Sequence, residues 1–120
     1  MFKEKMYEIN RCAIVIKPQQ PFVDWLNGLP DADGVQLTRE ELQRDCPALL
    51  IPVFDDDQET RPYIKKISPD IFYDILWDWC TKTSWWPRRR GWPTFQRWFT
   101  VEMHSFVQDT VQAPIAKEEG

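Results

Sequence analysis

Apolar and polar positions along this chain recur in two rhythms, one with the period of a strand and one with that of a helix, and the switches between them divide it into elements. Arg11-Cys-Ala-Ile-Val-Ile16 is β-branched and apolar on both alternating faces, a pattern that predicts a central strand rather than an edge strand. Pro18 ends it. Pro21 then suits the first turn of a short helix through Leu26, because Phe22, Trp25, Leu26 and Leu29 recur every three or four residues. Gly28 and Pro30 stop that helix. Thr38-Arg-Glu-Glu41 has the form of a capping box, in which the threonine and the glutamate three positions later satisfy each other's backbone amides. It predicts a two-turn helix to about Asp45, closed by Pro47. Ala48-Leu-Leu-Ile-Pro-Val-Phe54 has strand composition, and Pro52, lacking an N–H, points to a sheet edge or a bulge, so the run can be an edge partner for the first strand.

A long helical stretch follows. Asp55, Asp56 and Asp57 offer a cap at a helix N-terminus, with Ile64 and Ile67 on the inner face. Ser68-Pro69-Asp70 is either a fresh start or a kink, and both alternatives carry a helix through Trp79. Its inner stripe is Ile71, Phe72, Ile75, Leu76 and Trp79, while Asp70, Asp74 and Asp78 lie on the outer face beside Tyr73 and Trp77. Residues 80–93 contain two prolines and a glycine and read as a long loop, with Thr94 capping the next helix. Beyond Phe95 the two rhythms overlap: Phe95, Trp98, Phe99, Met103 and Phe106 keep helical period, whereas Val101, Met103, Ser105, Val107 and Val111 keep strand period. The β-branched content favours a short helix to about Thr100 and a third strand to about Val111.

These elements predict an α+β fold, a single two-layer domain over residues 1–112 with a small, about three-stranded, largely antiparallel sheet packed against helices. Residues 113–120 read as a polar tail. The expected core is Ile14, Ile16, Trp25, Leu50, Ile71, Ile75, Leu76, Trp79 and Phe99. At 120 residues, 42% of them hydrophobic and 28% charged, the chain is large enough to bury about two-thirds of its unfolded surface without a metal or disulfide staple. Cys12, Cys46 and Cys80 form no short-spaced pair, so buried, reduced thiols are expected. The N-terminal run M-F-K-E-K-M-Y-E-I-N is charged and contains no apolar segment of signal-peptide length. No membrane-spanning run is present either, and the expectation is a cytoplasmic protein. At I-N-R-C-A-I-V-I-K-P-Q-Q-P-F-V-D-W-L-N, W-W-P and H-S-F-V-Q-D the chain resembles small uncharacterised bacterial proteins of similar length, a resemblance that implies no activity.

Charge changes the picture more than composition does. Between Trp79 and Val101 lie Lys82, Arg88, Arg89, Arg90 and Arg97 and not one acid, so this segment carries +5 while the rest of the chain carries −9, giving the net −4. Trp79, Trp85, Trp86, Trp92 and Trp98 are interleaved with those cations. The expected partner-binding residues are therefore Trp85, Trp86, Arg88, Arg89, Arg90 and Trp92, with another protein as the partner, since Trp and Arg are enriched at interface hot spots. Nucleic-acid or phosphate binding through Arg88, Arg89, Arg90 and neighbouring tryptophans is the alternative. A pI near 5.0 opposes it. A blander alternative folds the loop back, with its indoles finishing the core and its arginines pairing with Asp70, Asp74, Asp78 or Asp55 to Asp57.

Catalytic readings find less support. His104 is the only histidine, and a hydrolase using it ranks third among the functional readings. Ser105 adjoins it but points to the opposite face of a strand, and no G-x-S-x-G elbow exists. Cys46 or Cys80 would have to reach His104 through tertiary contact, and a zinc site would need it to converge with all three cysteines. Asp55, Asp56, Asp57 and Glu59 suggest a hard-cation site less well than a solvated cap. The Asp31-Ala-Asp-Gly34 turn fails as an EF-hand because Gln36 and Leu42 occupy the glycine and glutamate positions. There is no Walker A or Rossmann glycine pattern, so no cofactor and no metal is expected and the chain reads as a non-enzyme.

Overall fold

The computed structural model describes residues 4–120. Met1, Phe2 and Lys3, part of the charged N-terminal run, lie outside the described residues. Strands β1 (Tyr7–Glu8) and β2 (Arg11–Pro18) lead into helix α1 (Gln20–Asn27) and the single turn α2 (Arg39–Leu42). Strand β3 (Ala48–Pro52) is followed by a 3-10 turn at Asp57–Glu59 and the long helix α3 (Thr60–Trp79). A second 3-10 turn (Thr83–Trp85), helix α4 (Trp92–Trp98) and strands β4 (Phe99–His104) and β5 (Gln108–Asp109) complete the chain. β2 is central, antiparallel to β3 on one side and to β4 on the other, while β1 and β5 form a separate antiparallel ribbon. The expected α+β architecture and three-stranded antiparallel sheet are thus what the molecule has.

Only one face of the sheet is covered. Cys12, Ile14, Ile16 and Pro18 of β2 are buried against the helices, whereas Arg11, Ala13, Val15 and Lys17 stay half-exposed on the open face. β2 is therefore apolar on both faces but buried on one. Register then explains the first correction to the expected core. Leu50 lies opposite Ala13 on the open face and is 47% exposed, and its neighbours Leu49 and Ile51, opposite Ile14 and Cys12, supply the packing instead. Trp79 ends α3 and is likewise 47% exposed, touching Phe22 only by a ring edge at 6.4 Å. Trp25 is half-buried. Ile14, Ile16, Ile71, Ile75, Leu76 and Phe99 are in the core as expected. Its centre is aromatic: Phe22, Phe72 and Phe95 each stand within 5.3 Å of Phe99, centroid to centroid.

Local chemistry accounts for the helix ends. Thr38 Oγ1 accepts from the Glu41 N–H at 3.1 Å, so the threonine caps the helix, and its hydroxyl donates to Glu41 Oε1 at 3.0 Å in place of the backbone amide of a full capping box; α2 is one turn rather than two. Leu42 is its only buried residue, too little to hold a longer helix. Asp56 accepts from the Gln58 N–H at 2.9 Å at the 3-10 turn, so the aspartates do cap. α3 runs unbroken through Pro69. A proline there leaves the Lys65 carbonyl without its usual amide donor, and the Ser68 hydroxyl donates to that oxygen at 2.8 Å. Thr94 is not a cap: Gly91 holds that position, Pro93 sits in the first turn and Thr94 is buried inside α4. The third strand also ends earlier than expected, at His104. Ser105–Val107 interrupts it before the two-residue β5.

Candidate functional site

The Trp/Arg segment leaves α3 at Cys80 and returns as α4, and three contacts fix the intervening loop. Trp86 is 8% exposed, and its indole N–H donates to the Cys80 carbonyl at 2.7 Å. Trp25 Nε1 of α1 donates to the Trp85 carbonyl at 3.0 Å. Trp92 stacks on Phe95 with centroids 5.7 Å apart. The expectation that Trp86 is offered to a partner is corrected, since it is buried, while Trp85 and Trp92 are half-buried. An indole is large and apolar enough that burial wins wherever the N–H finds an acceptor. Cations sit on their remaining faces: Lys82 on Trp85 at 4.7 Å, Arg90 on Trp86 at 5.8 Å and Arg61 on Trp92 at 5.8 Å.

The arginines behave differently. Arg88, Arg89 and Arg90 are exposed, and among the described residues none forms an ion pair with Asp70, Asp74, Asp78 or the Asp55 to Asp57 run. Arg90 Nη1 donates to the Pro87 carbonyl, 2.6 Å away, which steers its stem back over Trp86. Exposed aromatic area is found not in the loop but on α3. Tyr73 and Trp77, one helical turn apart, are 53% and 46% exposed and lie parallel, 4° between planes and 6.3 Å between centroids. Trp86 stands perpendicular to both, at 5.3 Å and 6.4 Å. A hollow of about 430 Å³ lies between Pro69, Tyr73, Thr83, Trp86 and Arg90. The outer face of α3 and the arginine loop, separate in sequence, thus share one surface through Trp86. Helical spacing placed Tyr73 and Trp77 on the outside; the contact with Trp86 had no local signal.

The remaining candidate groups do not assemble. His104 lies at the end of β4 with Nε2 2.9 Å from Glu102 Oε1, and Glu102 also pairs with Lys17 at 3.3 Å. The hydrogen bond from Lys17, followed by that from His104, holds the Glu102 carboxyl below the usual carboxylate range. Burial pushes the Cys46 thiol up, with Lys17 opposing and Asp45 and Glu102 reinforcing that rise. Its sulfur lies 3.4 Å from the Gln43 carbonyl, placed to donate to it. All three cysteines are free, and among the described residues no three His, Cys, Asp or Glu side chains gather around a metal-sized point. No described helix is long and apolar enough to cross a membrane. No family model matches the chain, and no curated protein or solved structure matches it either.

Proposed function

We propose that the protein works without catalysis, binding another protein through the surface where Arg90, with Arg88 and Arg89 beside it in the loop, adjoins Tyr73 and Trp77 across Trp86, and that it does so in the cytoplasm. One observation carries the reading: a parallel, half-exposed Tyr–Trp pair is braced from below by a buried tryptophan, beside arginines that have no acidic partner among the described residues. Tyr, Trp and Arg are the side chains that dominate interface energetics. Bracing by Trp86 fixes the rings before binding and lowers the ordering cost. A non-catalytic role is supported by the Cys46 thiol, which burial raises and which is placed to donate to the Gln43 carbonyl.

The test uses a partner recovered with the wild-type protein and then purified. Tyr73→Ala with Trp77→Ala should weaken its binding at least tenfold while the melting temperature moves little. Unchanged binding by that pair overturns the surface. The exposed arginines favour a second reading, nucleic-acid binding, yet Asp70, Asp74 and Asp78 occupy the same helix face and repel phosphates. Titration of a labelled single strand against salt separates the two, because phosphate contacts weaken steeply as salt rises.

A further inference from the structure

Among the described residues, strand β4 is bonded on one side only. The Ile16 N–H donates to the Pro47 carbonyl at 2.9 Å, on the β3 side. Backbone groups alternate along a strand, so Ala13, Val15 and Lys17 turn theirs to β4, where they meet His104, Glu102 and Thr100. Val101 and Met103 therefore direct N–H and C=O to the free edge. At the corresponding outward position of β3 stands Pro52, which blunts that edge. β4 has no proline and no lysine. The side chains of Val101 and Met103, opposite Ile16 and Ile14, lie on the core face, Val101 half-buried and Met103 42% exposed. They line a groove of about 470 Å³ with Ile64, Phe95, Trp92 and Arg61.

Beyond His104 the chain runs through Ser105–Val107 into an arm. β1 and β5 extend the β2–β4 pair past the body, and none of residues 4–10 or 105–120 is buried. Met6, Phe106, Val111 and Ile115 are 54%, 77%, 60% and 53% exposed. An isolated two-stranded ribbon is marginal in water. The arm stretches the molecule to a radius of gyration of 17.0 Å and a long axis of 54 Å, against about 14 Å for the radius of a compact chain this size.

We propose that β4 and the arm form the interface of a two-fold dimer, in which the free β4 edges pair antiparallel and each arm lies in the groove of the other copy. A second copy fits better than a foreign chain because the free edge and the unsupported arm follow one another in the chain, β4 leading through Ser105–Val107 into β5. A single two-fold axis near His104 satisfies both at once, bringing the Phe106–Val107 stretch of each copy beside the Val101–Met103 groove of the other.

Sedimentation equilibrium over a range of concentrations, with the full chain, tests this. Wild type should approach twice the 14.4 kDa monomer mass. Met103→Pro removes the N–H that faces the free edge and leaves the β2 ladder intact, and Phe106→Asp alters only the arm; each should return the mass to the monomer with an unchanged far-ultraviolet spectrum. A wild-type chain that stays monomeric up to millimolar concentration overturns the proposal, whether or not a foreign protein then binds the edge. So does a dimer that survives Phe106→Asp and any folded Met103→Pro.

Discussion

The loop from Cys80 to Gly91 and the ribbon of β1 and β5 differ in opposite senses. The loop has one 3-10 turn of regular structure, yet Trp86 and Cys80 are buried and two indole N–H groups are bonded to carbonyls. The ribbon has a paired ladder and buries no side chain of its own. Hydrogen bonds made in place of bonds to water contribute little net stability, while apolar area removed from water contributes much more. Regular backbone pairing is therefore the poorer guide to which segment holds the fold together.

That contrast breaks if the loop proves dispensable. Trp86→Ala should cost about 3 to 5 kcal/mol, since it empties a buried site and orphans the Cys80 carbonyl; denaturant unfolding that shows less than about 1 kcal/mol would mean the loop is only draped on the core. Ile75→Ala, beneath the same surface in α3 and 6% exposed, should cost about 2 to 5 kcal/mol by loss of transfer energy and creation of a cavity. A loss near zero would move the inner face of α3 elsewhere. Phe106→Ala, in the dissociated monomer, should cost less than about 0.5 kcal/mol.

How far the sequence discloses this molecule depends on whether the signal is local. Ile14, Ile16 and the Ile71-Phe72-Ile75-Leu76 stripe follow from periodicity, and the Thr38 cap from two residues three apart. Leu50 does not, because Ala48-Leu-Leu-Ile51 is apolar at every position and only pairing with β2 decides which face is buried. Thr94 is misread for a related reason: either Gly91-Trp-Pro93 or Thr94 suffices to begin a helix, and the helix that starts at Trp92 takes Thr94 into its buried face. The two-residue strands β1 and β5 are too short for any period. At the candidate surface, the segregated arginines and the outward Tyr73 and Trp77 were legible. Burial of Trp86 between them required the third dimension.

A sharper form of the comparison asks what the exposed arginines do for the fold. Replacing Arg88, Arg89 and Arg90 together by alanine should weaken partner capture while stability changes by less than about 1 kcal/mol, because exposed cations without acidic partners contribute little. Only Arg90, over the Trp86 ring, should register at all. Collapse of stability with intact binding would make the loop an internal clamp and leave Asp70, Tyr73, Asp74 and Trp77 as the binding face.

The smallest effect belongs to the open face of the sheet, where Lys17, Glu102 and His104 are linked. Glu102 has its carboxyl held low in the folded state by those two neighbours. A carboxylate with a depressed folded value binds fewer protons folded than unfolded, so its stabilisation is present above the ordinary carboxylate range and is lost as pH falls through the depressed value. Glu102→Gln should therefore lower the melting temperature slightly at neutral pH, and the difference from wild type should vanish in acid. Half-exposed groups are screened, so salt should shrink it too. His104→Ala should remove part of the effect and leave partner binding intact; a loss of function at unchanged stability would instead assign His104 an acid-base role.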